Sequence, residues 1–169
     1  MQTVSNVRAD RFTANWAAAT GADAYRLQVC TDAGFTSCIA GYNPASVGDS
    51  PALVSGLAQT TTYYYRVSAG NANGYSAYSS SANVTTNTRP SLSGSFMTSG
   101  AVNDNATIAP FTGVTVSDAN GDAVSVQISY AAANGTLAGT GLTGSAGSYV
   151  LTAQAPATVT TNLRGLVFT

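Results

Sequence analysis

Leu57-Ala58-Gln59-Thr60-Thr61-Thr62-Tyr63-Tyr64-Tyr65-Arg66-Val67-Ser68-Ala69 alternates with period two and begins where a turn hands over to a strand. Tyr63, Tyr65, Val67 and Ala69 fall on one face of such a strand, and Tyr64, Arg66 and Ser68 on the other. A tyrosine six residues after a leucine, at the entry to a central strand, packs its ring on the core and turns its hydroxyl back to the preceding corner. The stretch predicts a β-sandwich and implies no chemistry of its own.

Composition agrees with an all-β class. The chain of 169 residues has six basic residues, all arginine, and seven acidic ones, all aspartate; lysine, glutamate and histidine are absent. Thr, Ser, Ala, Gly, Val and Tyr stand in their place, and these suit pleated strands and tight turns better than helices. A formal charge of −1 with no basic cluster leaves no footprint for nucleic acid or an anionic membrane. No run approaches the roughly 20 apolar residues that span a bilayer, so direct membrane insertion is not expected. Met1-Gln-Thr-Val lacks the basic start and apolar centre of a signal peptide.

Outward from the tyrosine-rich stretch, Val4 to Val7 reads as an edge strand. Phe12-Thr-Ala-Asn-Trp16 forms a second strand with Trp16 inward, and Tyr25, Leu27 and Val29 mark one face of a third. Gly21 to Asp23 makes a turn, and Asn71-Ala-Asn73-Gly74 signals a two-residue hairpin. Ile39 to Gly56, with Pro44, Gly48, Asp49 and Pro51, predicts short strands among irregular turns, with Leu53 and Leu57 reaching the core. Ala82-Asn-Val84-Thr closes the unit. Cys30 and Cys38 flank Thr-Asp-Ala-Gly-Phe-Thr-Ser, a short connection between strands. They form either a cross-strand disulfide, worth roughly 2–3 kcal/mol in the chain-entropy account, or two buried thiols. Two cysteines without histidine leave zinc short of ligands.

Phe12-Thr-Ala-Asn-Trp16, Gly21-Ala-Asp-Ala-Tyr25, Gly34-Phe35-Thr and Leu57 through Asn73 together resemble a fibronectin type III domain, in the form common in secreted and surface proteins of bacteria. Gln59 stands where that family often has proline, and the cysteine pair is also outside its pattern. The expected boundaries are a first sandwich over 1–87, a linker at 88–90 around Arg89-Pro90, and a second sandwich over 91–169.

In the second half, Phe111-Thr-Gly-Val114-Thr-Val116 leads through Ser117-Asp118-Ala-Asn120-Gly121-Asp122 to alternating Val124, Val126, Ile128 and Tyr130, which predicts a hairpin. Turns at Asn134-Gly135, a strand at Ser148-Tyr149-Val-Leu151 and Leu163-Arg-Gly-Leu166-Val-Phe168 follow. With Asn103-Asp104-Asn105 and Pro110-Phe111, these motifs resemble the cadherin-like, immunoglobulin-like repeats of large bacterial surface proteins. Those repeats continue past this point into a further strand. The resemblance therefore implies a second sandwich lacking its last strand, as a piece of a longer array or as a subunit completed by another chain.

Asp118, Asn120 and Asp122 alternate around Gly121, a spacing at which side-chain oxygens converge on a hard cation such as calcium. The cadherin-like resemblance adds Asp104. An ordinary Asn-Gly turn decorated with aspartates accounts for the same residues. Tyr64, Tyr75 and Tyr78 are candidate ligand-contact aromatics for sugar rings or a protein surface, against packing over the sandwich ends as the plain alternative. Without histidine or glutamate the usual base for a nucleophile is missing, so no enzyme is expected. The resulting expectation is a structural or adhesive module of an extracellular or bacterial cell-surface protein, acting as a spacer or as a filament subunit that assembles by strand donation. Its partners would be other copies of itself or neighbouring repeats. The alternative is a module that binds a glycan or a surface protein.

Overall fold

The computed structural model of the chain describes residues 3–97 and 106–169. Contacts divide the chain into residues 1–88 and residues 89–169, each with its own apolar core. Both units are β-sandwich-like, and the class is all-β with a single nine-residue helix among the described residues.

Unit 1 contains β1 (Thr3–Ser5), β2 (Arg11–Asn15), β3 (Ala24–Cys30), β4 (Ala45–Val47), β5 (Ala52–Ser55), β6 (Thr62–Asn71), β7 (Gly74–Tyr75) and β8 (Ala82–Thr85). One sheet runs β1-β2-β5 and the other β4-β3-β6-β7, with β8 also on β6; the pairings are antiparallel. β7 and β8 thus share one position beside β6, at its two ends. Between them serine hydroxyls continue the ladder. Ala69 N–H donates to Ser76 Oγ and Val67 N–H to Ser79 Oγ, both at 3.1 Å, while the Ser76 and Ser79 amides donate back to Ala69 O and Val67 O at 2.8 Å.

The period-two reading of β6 holds for the core: Tyr63, Tyr65 and Val67 are buried between the sheets with Phe12, Trp16, Tyr25, Leu27 and Val29. Each inward tyrosine ties its hydroxyl to backbone. Tyr63 accepts from Ala58 N–H, Tyr25 accepts from Ala19 N–H, and Tyr65 donates to Thr3 O, all at 2.8 Å. The first of these is the expected corner. Burial also pushes the Tyr65 phenol above its ordinary pKa. Leu53 departs from expectation: it is 57% exposed, and its neighbour Val54 occupies the core instead. In β5 the inward parity belongs to Ala52 and Val54, and Leu57 reaches the core from beyond Gly56.

Unit 2 contains β9 (Ser91–Ser93), β10 (Thr115–Ser117), β11 (Val124–Ser129), a 3-10 turn at Ala132–Asn134, β12 (Leu137–Ala138), β13 (Leu142–Ser145), β14 (Ser148–Gln154), α1 (Pro156–Arg164) and β15 (Val167–Phe168). The hairpin expected around Asn120-Gly121 does not form. β10 pairs with β9, whereas β11 pairs with β14 in the sheet β11-β14-β13. Alternation locates a strand but does not choose its partner. Here the Gly121 turn, at φ +74°, carries the chain from one sheet to another.

Helix α1 is the second departure. Its sequence Pro-Ala-Thr-Val-Thr-Thr-Asn-Leu-Arg is rich in β-branched residues of modest helix propensity. Pro156 pre-sets the first turn, and Arg164 lies in the last turn, where a cation suits the helix dipole. Docking does the rest: Val159 and Leu163, four apart, are about 1% exposed against Val114, Val116, Leu151 and Leu166. β15 pairs with β12, and its Phe168 also bridges Ile108 on the other side, with N–H to O distances of 3.1 and 2.8 Å.

Candidate functional site

The outward positions of β3 and β6 are the even-numbered ones, because Tyr25, Leu27, Val29, Tyr63, Tyr65 and Val67 face the core. Arg26, Gln28, Tyr64, Arg66 and Ser68 therefore share one outer surface, and the cross-strand register sets Arg26 opposite Ser68 and Gln28 opposite Arg66. Two stacks of rings and guanidinium groups are built on it.

In the first stack the Arg26 guanidinium lies 3.7 Å from the centre of the Tyr75 ring. That ring covers Gly70, where a Cβ would come within 2.6–3.0 Å of ring carbons. Only glycine at 70 admits the ring. In the second stack the Arg66 guanidinium sits between Phe35 at 4.0 Å and Tyr78 at 4.2 Å. Arg66 Nε donates to Gln28 Oε1 at 2.8 Å, and Gln28 Nε2 donates to Asn43 Oδ1 at 2.9 Å.

Phe35 reaches this surface because the loop after β3 is tied down twice. Cys30 and Cys38 form a disulfide across its base. The Asp32 carboxylate accepts from Thr36 N–H at 3.0 Å and Ser37 N–H at 2.6 Å. These backbone donors, Thr36 first and then Ser37, hold the Asp32 carboxyl below its ordinary pKa.

The candidate aromatics thus have definite places. Tyr75 is 40% exposed, and Tyr64 and Tyr78 are half-buried on the same surface, with Tyr64 opposite Cys30 and Asn83. Sequence reading placed Tyr64 and Arg66 on a common face but missed Arg26, Gln28 and Phe35 as their companions. The parity of β3 carried the signal for the first two. For Phe35, a loop residue, no sequence periodicity applies.

In unit 2, Asp118 Oδ1 accepts from the backbone N–H groups of Asn120 at 2.9 Å and Asp122 at 3.1 Å. One carboxylate oxygen of the triplet is thereby engaged in shaping the turn. Asp104 lies outside the described residues. Among the described residues no group of three His, Cys, Asp or Glu gathers at metal-binding distance, and the sequence contains no histidine or glutamate at all.

The architecture defines two β-sandwich-like domains, each built of antiparallel strands around its own apolar core. No family profile matches the chain, and no curated protein sequence matches it. Among solved structures it is similar to the fn3 domain of human collagen alpha-1(XX) chain, at 24% identity over 50% of this chain and 79% of that one, with a TM-score of 0.43. It is likewise similar to the 6th fibronectin type III domain from human fibronectin type III domain containing protein 3, at 26% identity, covering 50% of this chain and 79% of that one, with a TM-score of 0.37. The chicken CNTN1 FN1–FN3 domains match at 18% identity over 51% of this chain and 29% of that one, with a TM-score of 0.43.

Proposed function

We propose that the chain is a structural spacer module of an extracellular, bacterial cell-surface protein, whose two β-domains each resist pairing edge to edge with another chain. One observation carries this reading: side chains close a sheet edge in each unit. In unit 1 the Tyr42 hydroxyl accepts from Ser55 N–H at 3.2 Å and donates to Leu53 O at 3.4 Å, on the side of β5 turned away from β2. In unit 2 the Thr160 hydroxyl accepts from Val116 N–H at 2.9 Å and donates to Val116 O at 3.1 Å, while Arg164 Nε donates to Val114 O at 2.7 Å. On β5 and beside β10 the backbone groups that would template a foreign strand are thereby occupied. The Cys30–Cys38 disulfide fits the oxidising surroundings of an exported protein.

Assembly by strand donation is the competing version of this function, and it requires an open acceptor edge. The closed edges of β5 and β10 leave a donated strand to enter elsewhere. Light scattering over a wide concentration range separates the two versions. The spacer reading expects a monomer throughout, and particles that grow with concentration would transfer the case to filament assembly.

A further inference from the structure

The two arginines on the outer surface of unit 1 are held in place but not neutralised. Two rings, Phe35 and Tyr78, pack on the Arg66 guanidinium, and its Nε is taken by Gln28. Of the five N–H groups of an arginine, the four on the terminal nitrogens remain for a partner lying in the guanidinium plane. Arg26 is exposed and rests on Tyr75. Among the described residues the ion pair found is Arg11 with Asp10 at 3.2 Å, away from this surface, so no carboxylate faces either cation. Asp32, in the same loop as Phe35, has its carboxylate engaged by Thr36 and Ser37. Arg26 and Arg66 occupy diagonal positions across β3 and β6, which sets their backbones on the order of 7–8 Å apart.

We propose that this surface binds an acidic polysaccharide, with uronate carboxylates seated against the terminal N–H groups of Arg66 and Arg26. A guanidinium fork matches a carboxylate in geometry as well as charge. Its stacking between rings removes rotamer freedom before the ligand arrives, which lowers the entropy cost of binding. A polysaccharide suits the surface better than a protein. The outward positions of β3, β4 and β6 contain no Leu, Ile, Val or Met, and of the aromatic anchors that a protein interface favours, Phe35, Tyr75 and Tyr78 are already stacked on the two arginines. What they offer a ligand is the two arginine forks with the exposed Ser46 and the half-buried Tyr64 beside them, which match the carboxylates and hydroxyls of a uronic acid; Gln28 and Ser68 are buried and bonded within the surface. The proposal rests on the extracellular reading for the place where such a polymer is met, and on the surface itself for the contact.

The test uses the whole chain, titrated by calorimetry with polygalacturonate and alginate, with neutral dextran and with poly-aspartate. Salt-sensitive binding to both polyuronates and none to dextran is expected. Arg26→Gln and Arg66→Gln should each weaken it by about fivefold and together by more than about tenfold, because each removes a charge-assisted pair. Arg66→Lys should lose nearly as much as Arg66→Gln, since an ammonium cannot reproduce the stacked fork. Arg8→Gln, the same charge change elsewhere, should stay within about twofold. Melting curves identify variants that remain folded, and Arg26→Gln decides the question if Arg66→Gln unfolds. A folded wild-type chain that binds neither polyuronate overturns the proposal, as does equal loss in Arg8→Gln. Tighter binding to poly-aspartate also overturns it, and assigns the surface to an acidic protein segment. Each of these failures leaves the monomeric-spacer reading standing, because that reading is measured by light scattering.

Discussion

The two units protect a strand edge with the same device, one hydroxyl that both accepts from an N–H and donates to a carbonyl, but they place it in opposite surroundings. Tyr42 is half-buried and comes from a loop, beside an exposed Leu53. Thr160 is 9% exposed and comes from helix α1, over a Val116 that is 5% exposed. Water can replace the phenol in unit 1. It has no comparable access in unit 2. The same hydrogen-bond pattern therefore contributes mainly to specificity in one place and mainly to stability in the other.

The largest expected effect follows from the buried member of the pair. Thr160→Val should destabilise unit 2 by about 2–3 kcal/mol, because a methyl group leaves the N–H and C=O of Val116 without partners. Urea unfolding measures this, and Thr160→Ser should restore most of it; a Val variant as stable as wild type would remove the helix from the account of the edge. Tyr42→Phe should cost unit 1 only about 0.5–1 kcal/mol. Its distinctive result should be self-association at high protein concentration on a sizing column, through the freed edge next to Leu53. If the variant remains monomeric, the phenol does not guard that edge.

The smallest effect concerns the loop that delivers Phe35. Asp32 has a depressed folded-state pKa, so its stabilising contribution is complete above the ordinary value of 3.8 and is lost as pH falls through the depressed value. Asp32→Asn should flatten this part of the pH–melting curve while leaving the neutral-pH fold intact. Identical acid limbs in wild type and variant would show that the loop is held by the disulfide alone.

Unit 1 was legible because each of its signals is local. The Leu57 to Tyr63 spacing sets the corner, strict alternation sets the core face of β3 and β6, and Asn71 to Gly74 sets the turn into β7. The outer surface was half legible: parity puts Tyr64 beside Arg66, but the stacks need Phe35 and Tyr78, which arrive from segments without periodicity. Unit 2 hid more. Val116 and Val124 flank a turn that looks like a hairpin, and choosing β9 and β14 as partners depends on pairings distant in sequence. The Thr-rich segment before Arg164 has no strong helix propensity, so its conformation is decided by the core that Val159 and Leu163 complete.

Trp16 is the sole tryptophan of the chain, and it lies buried in unit 1 with its indole Nε1 unpartnered and its ring 5.6 Å from Tyr25. Its emission is a built-in optical label for one half of the molecule. Excited at wavelengths that tyrosine does not absorb, the protein reports the unfolding of unit 1 alone, whereas calorimetry sums the heat of both units. Superimposed fluorescence and calorimetric transitions would mean that the two units unfold as one cooperative system, and a heat-absorption peak without an accompanying fluorescence change would belong to unit 2.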